Sequence, residues 1–187
     1  RRHRHRPLAL PQKRVAAEAR FLRAFYYENL AINFGGVPII DEKVYGITDE
    51  VNEPRKTFAE TVSYIVKELD AAAQDLPIPG TGNLPGQYQD ADYGRATKGA
   101  CMALKSRLLL YAASPLFNGG SFPNPSSPER VALASYPTFS VSRWQDAADA
   151  ALAVINSGYY SLYKDNITAP GYGFFQVFLK RVNPEYI

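Results

Sequence analysis

Hydrophobic positions along the chain recur with helical rather than strand spacing, and four segments carry the pattern. The clearest begins at Thr57. Phe58, Val62, Ile65, Leu69, Ala72 and Leu76 follow at steps of four, three, four, three and four, one apolar stripe with a polar back. Thr57 and Glu60 form a capping box at its start, and Pro77 and Pro79 end it. Upstream, a helix is predicted from about Val15 to Phe34. Phe21, Leu22, Phe25, Tyr26, Tyr27, Leu30 and Ile32 make it apolar on nearly every side, the pattern of a helix buried all round. Its charges Glu18, Arg20, Arg23 and Glu28 are read as having no opposite partner four residues away, so they are expected to reach other segments. Gly35-Gly36 stops this helix, and Val37-Pro38 opens an extended stretch.

A third helix is predicted over Thr97–Ser114, with Cys101, Leu104, Leu108 and Tyr111 on one face and Pro115 as terminator. Gly99, Ala100 and Ala103 are small enough to admit a neighbouring helix. A fourth starts at Ser142, capped with Gln145, buries Trp144, Ala148, Ala151 and Ile155, and closes at Gly158. Tyr159–Tyr163 reads as extended, and a weaker helical turn follows at Phe174–Arg181. Helix starts near 15, 57, 97 and 142 give a loose repeat of about 40 residues, which suggests stacked antiparallel helix pairs. The expected fold is therefore all-α, a TPR-like superhelix. Its connections, 35–56, 77–96 and 114–141, are each about 20 residues or more, lengths that in compact proteins mark working loops or disorder. Their proline, glycine and aromatic content argues for ordered surface loops.

Composition refines this picture modestly. The chain has 187 residues, 46% hydrophobic and 21% charged, enough apolar material for a folded core. No apolar run reaches the roughly 20 residues that a bilayer-spanning helix needs. The single cysteine, Cys101, excludes an internal disulfide framework and a multi-cysteine metal site. The net charge of +3 comes from the head: Arg1, Arg2, Arg4, Arg6, Lys13 and Arg14 lie there without an acid, while the remainder is slightly acidic. Residues 1–14 are read as a basic, disordered leader and 15–187 as the folded unit. Nucleic-acid binding, which would rest on that head alone, is not expected.

The residues of the first helix then meet a known family. Glu18–Ile40, EARFLRAFYYENLAINFGGVPII, resembles the signature segment of the SusD/RagB outer-membrane nutrient-binding lipoproteins. Three further blocks fall in the family's order: the capped helix ending at Leu76-Pro77, Gly94–Phe117 (GRATKGACMALKSRLLLYAASPLF), and Trp144–Leu162 (WQDAADAALAVINSGYYSL). The resemblance implies a non-catalytic, surface-exposed protein of the bacterial outer membrane with a TPR-like core. It implies capture of an oligosaccharide or other nutrient for hand-over to a SusC-like TonB-dependent transporter. Family members are longer and begin with a lipoprotein signal and an acylated cysteine. The chain is accordingly expected to be an internal fragment, truncated at both ends, with the anchor absent.

The residues themselves offer little for catalysis. Both histidines, His3 and His5, lie in the head, so acid–base or triad chemistry has no member in the folded part. Cys101, among apolar helical residues, reads as a structural thiol. Asp70 and Asp75 lie on the solvated back of the second helix, and Gly80–Gly86 neither follows a strand nor opens a helix. Asp41, Glu42, Asp49, Glu50 and Glu53 lack a spaced calcium motif and read as a solvated acidic turn. No cofactor and no metal are expected.

Sugar binding fits better, because aromatic rings stack on apolar sugar faces while amides and carboxylates take the hydroxyls. Candidate rings are Tyr45, Tyr88, Tyr93, Phe122, Tyr136, Tyr172 and Phe174, and candidate polar partners include Asn83, Gln87, Gln89, Asp90, Asp92 and Asn124. Gln87–Tyr93 is the densest mixture, so the ligand-binding set is expected at Tyr88, Tyr93, Asp92, Phe122 and Asn124. The alternatives are that these tyrosines merely cover helix ends, and that the array is a protein-interaction scaffold without sugar binding.

Overall fold

A computed structural model of the protein describes residues 10–78, 92, 94–120, 127–165 and 167–180. These form α1 (Leu10–Phe34), α2 (Phe58–Asp75), α3 (Lys98–Ala113), α4 (Pro128–Ala134), α5 (Ser142–Asn156) and α6 (Tyr172–Leu179). Among the described residues there is no strand, only isolated bridges at Pro38–Arg55 and Asn118–Tyr136. The architecture is all-α and TPR-like, as expected. α2 packs against α1 on one flank and α3 on the other, and α3 in turn packs against α5.

The core follows the α2 stripe. Phe58, Val62, Ile65, Leu69, Ala72 and Leu76 are all buried, and the Thr57–Glu60 capping box is made in both directions. From α3 come Cys101, Leu104, Leu108 and Ala112, with Ala112 taking the place expected for the half-exposed Tyr111. Phe117 stacks on Phe58 with ring centroids 4.8 Å apart, and Tyr136 meets Phe58 edge-on at 5.3 Å.

α1 departs from its expected all-round burial. It enters the core through Ala17, Ala24 and Ala31, one alanine every seven residues, while Leu22, Tyr26, Leu30 and Phe34 remain exposed. Small residues on the contact face let α1 and α2 backbones approach closely, while Phe21, Phe25 and Tyr27 pack partly buried against the core from beside them. Its start also differs: the helix begins at Leu10, not Val15. Contrary to expectation, Arg14 gives Glu18 an i,i+4 partner, at 3.1 Å.

The remaining charges of α1 do reach other helices. Arg20 and Arg23 both donate to the buried Glu68 of α2, the former at 3.1 Å. The fully buried carboxylate of Glu28 accepts two bonds from Arg107 of α3, at 2.7 and 2.6 Å. Two parallel bonds from one guanidinium satisfy a carboxylate that burial would otherwise leave destabilised.

The glycine pair after α1 has a steric cause. Gly35 sits at φ +76°, a left-handed conformation that stops the helix. Gly36 donates its N–H to the Leu133 carbonyl at 2.6 Å, and a Cβ there would fall 2.0 Å from the Lys56 carbonyl oxygen. Only glycine lets the chain pass between α4 and the start of α2.

Two local expectations fail. Ser142 is the first residue of α5 rather than its side-chain cap, because Val141 takes the cap position without a side-chain bond and Gln145 donates to Asp149 instead. The stripe Trp144, Ala148, Ala151 and Ile155 is also mostly turned outward. Ala147 is the buried residue of α5, flanked by half-buried Arg143, Ala150, Ala151 and Val154. Trp144 is therefore not core; it is 40% exposed. Arg143 sets this orientation by lying over the Tyr136 ring at 3.7 Å and donating to Asn118 Oδ1 at 2.6 Å.

Candidate ligand-binding surface

Of the expected set, Tyr88, Tyr93, Phe122 and Asn124 lie outside the described residues, as do Asn83, Gln87, Gln89 and Asp90. Asp92 is described, and its carboxylate faces Arg14 at 3.0 Å and Arg95 at 3.7 Å. Arg95 also binds Glu18, at 2.9 and 2.7 Å. This cluster ties the end of the 77–96 connection to α1. Burial alone would raise the Glu18 carboxyl, but the bonds and charges of Arg95 and Arg14 outweigh it and hold the group below the usual carboxylate range.

The other candidate rings scatter. Tyr45 donates to Glu53 at 2.7 Å under the Lys43 ammonium, Tyr136 is half-buried against Phe58, and Phe174 is 73% exposed on α6. The acidic turn is spent on structure. Glu42 accepts from Arg20 at 2.6 Å, Asp49 from the Gly46 N–H at 2.7 Å, and Glu53 from Lys43 at 2.9 Å. Among the described residues no cluster of metal-ligating side chains forms. Burial, with a smaller push from Asp70, raises the Cys101 thiol to about 12, so it stays protonated at neutral pH.

Among the described residues the helices build concave surfaces in two places that bear on binding. Between α1 and α3 lies a shallow apolar pocket of about 290 Å³, lined by Phe21, Phe25, Ala100, Ala103, Leu104 and Arg107. Ala100 and Ala103, small residues expected to admit a helix, face this open space. The larger surface arises because α2 and α5 both pack on α3 and leave a groove of about 940 Å³ between them. Lys67 and Asp70 line it from α2, Lys105 and Leu109 from α3, and Asp146 and Asp149 from α5. Lys105 Nζ lies 2.8 Å from both Asp70 oxygens, and the Gln145 amide holds Asp149 at 2.8 Å. Sequence reasoning assigned Asp70 to a solvated helix back and did not foresee the groove, since it takes shape only when α5 is placed.

Comparison with known proteins agrees with this architecture. The model of a family called SusD-like, described as starch-binding and associating with the outer membrane, matches residues 6–110. No curated protein matches the chain. Among solved structures, a protein named BT4246 is 32% identical, with a TM-score of 0.68 over 90% of this chain and 28% of its own. A SusD-like protein of Bacteroides fragilis NCTC 9343 is 26% identical, with a TM-score of 0.57 over 84% of this chain and 23% of its own. A SusD-like carbohydrate-binding protein of the same organism is 25% identical, with a TM-score of 0.58 over 85% of this chain and 24% of its own. The chain thus spans about a quarter of the length of the solved structures it matches. No helix among the described residues is long and apolar enough to cross a membrane. With its family model covering more than half of the residues and its helices superposing on SusD-like structures, the chain belongs to the SusD-like family.

Proposed function

We propose that this chain is the helical part of a non-catalytic protein that binds extracellular oligosaccharide at the bacterial surface and passes it to a TonB-dependent outer-membrane transporter. The observation that carries the reading is the family match over residues 6–110, whose description is starch binding in association with the outer membrane. The structure adds a physical rationale. Ion pairs and close packing hold α1, α2 and α3 rigidly, so loop side chains mounted on them lose little entropy when a ligand binds. Tyr88, Tyr93, Phe122 and Asn124 are proposed to contact the sugar, with Asp92 anchoring the base of the Tyr88–Tyr93 segment through Arg14 and Arg95.

A second reading, a helical scaffold for protein partners, is favoured by one feature. Trp144, Leu152 and Ile155 of α5, with Phe174 and Phe178 of α6, expose large apolar side chains of the kind that protein contacts cover. Glycan-array binding by the whole chain separates the two. Binding that falls when Tyr88 or Tyr93 becomes Ala supports sugar capture, whereas attachment to a transporter barrel with no sugar bound supports the scaffold.

A further inference from the structure

The groove between α2 and α5 combines features that single out one ligand chemistry. Its ionised groups are nearly balanced: Lys67 and Lys105 against Asp70, Asp146 and Asp149. An anionic chain laid there would meet three carboxylates, and a cationic one would meet two ammonium groups. A hydroxyl donates to a carboxylate and accepts from an ammonium, so a polyol satisfies both with the same group. Such charge-assisted bonds are roughly twice as strong as neutral ones. Between the charged groups lie Val66 and Leu109 with the Tyr136 ring, apolar surface suited to the C–H faces of sugars. Alanines on both walls, among them Ala71 and Ala153, leave the space unfilled by protein side chains.

The groove's parts are also tied to one another. Its walls are helices that share α3 as a floor, the Lys105–Asp70 pair fixes floor to wall, and Arg143 holds the Tyr136 ring. Preorganisation of this kind limits the entropy lost on binding.

We infer that this groove, built by α2, α3, α5 and the Tyr136 ring, is a subsite for a neutral oligosaccharide. The inference rests on the sugar-binding reading given above. It adds a place on the helices themselves where a glycan chain lies along α2 and α5, its hydroxyls bridging Lys67 to Asp146 and Asp149.

The test titrates a panel of neutral oligosaccharides, with maltoheptaose, cellohexaose, xylohexaose and mannohexaose as members, into the whole chain by calorimetry. Two variants interrogate the groove: a combined Lys67→Gln, Asp146→Asn, Asp149→Asn chain, and Ala153→Trp, which fills the space without touching a polar group. Each should weaken the best-bound sugar by about tenfold or more, while the thermal midpoint stays that of the parent. A Tyr88→Ala, Tyr93→Ala chain serves as the contrast. If that contrast abolishes binding and both groove variants bind like the parent, the groove subsite is overturned and the sugar-binding reading stands. If no member of the panel binds the parent chain, the neutral-glycan groove falls, and the sugar-binding reading is decided by the glycan array alone. Binding of a charged oligosaccharide or a peptide in the groove, lost in Ala153→Trp, would also overturn the neutral-glycan assignment.

Discussion

The bundle of α1, α2 and α3 and the pair α5 and α6 solve the same problem in different ways. In the first region every member of the α2 stripe is buried, and the charges that α1 carries inward each meet an opposite charge on α2 or α3. In the second, Ala147 is the buried residue of α5 and Gly173 that of α6, while Ile155 is 70% and Phe178 73% exposed. α5 docks on α3 through alanines and the arginine–tyrosine contact rather than through its large side chains. Stability is therefore concentrated in the first region, although α1 also exposes Leu22, Tyr26, Leu30 and Phe34.

The sharpest way to break that contrast is at Phe58, which is 2% exposed and packed between Phe117 and Tyr136. Phe58→Ala should cost about 4 kcal/mol by chemical denaturation, the scale for a truncated buried ring. Next comes Arg107→Met, which strands the Glu28 carboxylate in the interior. A loss of about 3 kcal/mol is expected, because removing one partner leaves a buried charge uncompensated.

Acid should act through Glu18. Its folded pKa is lowered, so its contribution is complete above the ordinary value of 4.5 and is lost as pH falls through the lower folded value. Stability measured against pH should thus decline below 4.5, and Glu18→Gln should flatten that limb by about 1 kcal/mol, the scale of a partly solvated ion pair. Smallest of all is Trp144→Ala. A ring expected in the core from its spacing, but found on the surface, should change stability by less than about 0.5 kcal/mol.

The same contrast explains what the sequence made legible. α2 could be read residue by residue because its capping box sets its start and because one stripe, and only one, is apolar. α5 could not, since its largest apolar side chains, Trp144, Leu152 and Ile155, lie on the exposed side and small Ala147 lies on the side that packs. The choice was made by Arg143, whose partners Asn118 and Tyr136 come from another part of the chain. α4 falls inside what reads as a long connection, although Ser127, Pro128 and Glu129 spell a capped helix start with proline in the first turn. Long-range fits stayed hidden. Gly99 reads as a helix-contact residue, yet the space above it is taken by Tyr160, whose hydroxyl would lie 1.7 Å from an added Cβ. The ion pairs of Arg20, Arg23 and Glu28 were foreseen in kind, but their partners Glu68 and Arg107 were not. Of the ligand-binding set expected from the sequence, Asp92 is the residue for which partners are described, and those partners are Arg14 and Arg95.

Native-state hydrogen exchange tests the account most directly, because it assigns an opening free energy to each helix. Amides in the middle of α2 and α3, around Ile65 and Leu108, should exchange only through global unfolding. Those of α5 and α6 should open at distinctly lower free energy. Protection of α6 equal to that of Ile65 and Leu108 would contradict the division between a load-carrying bundle and an exposed contact surface.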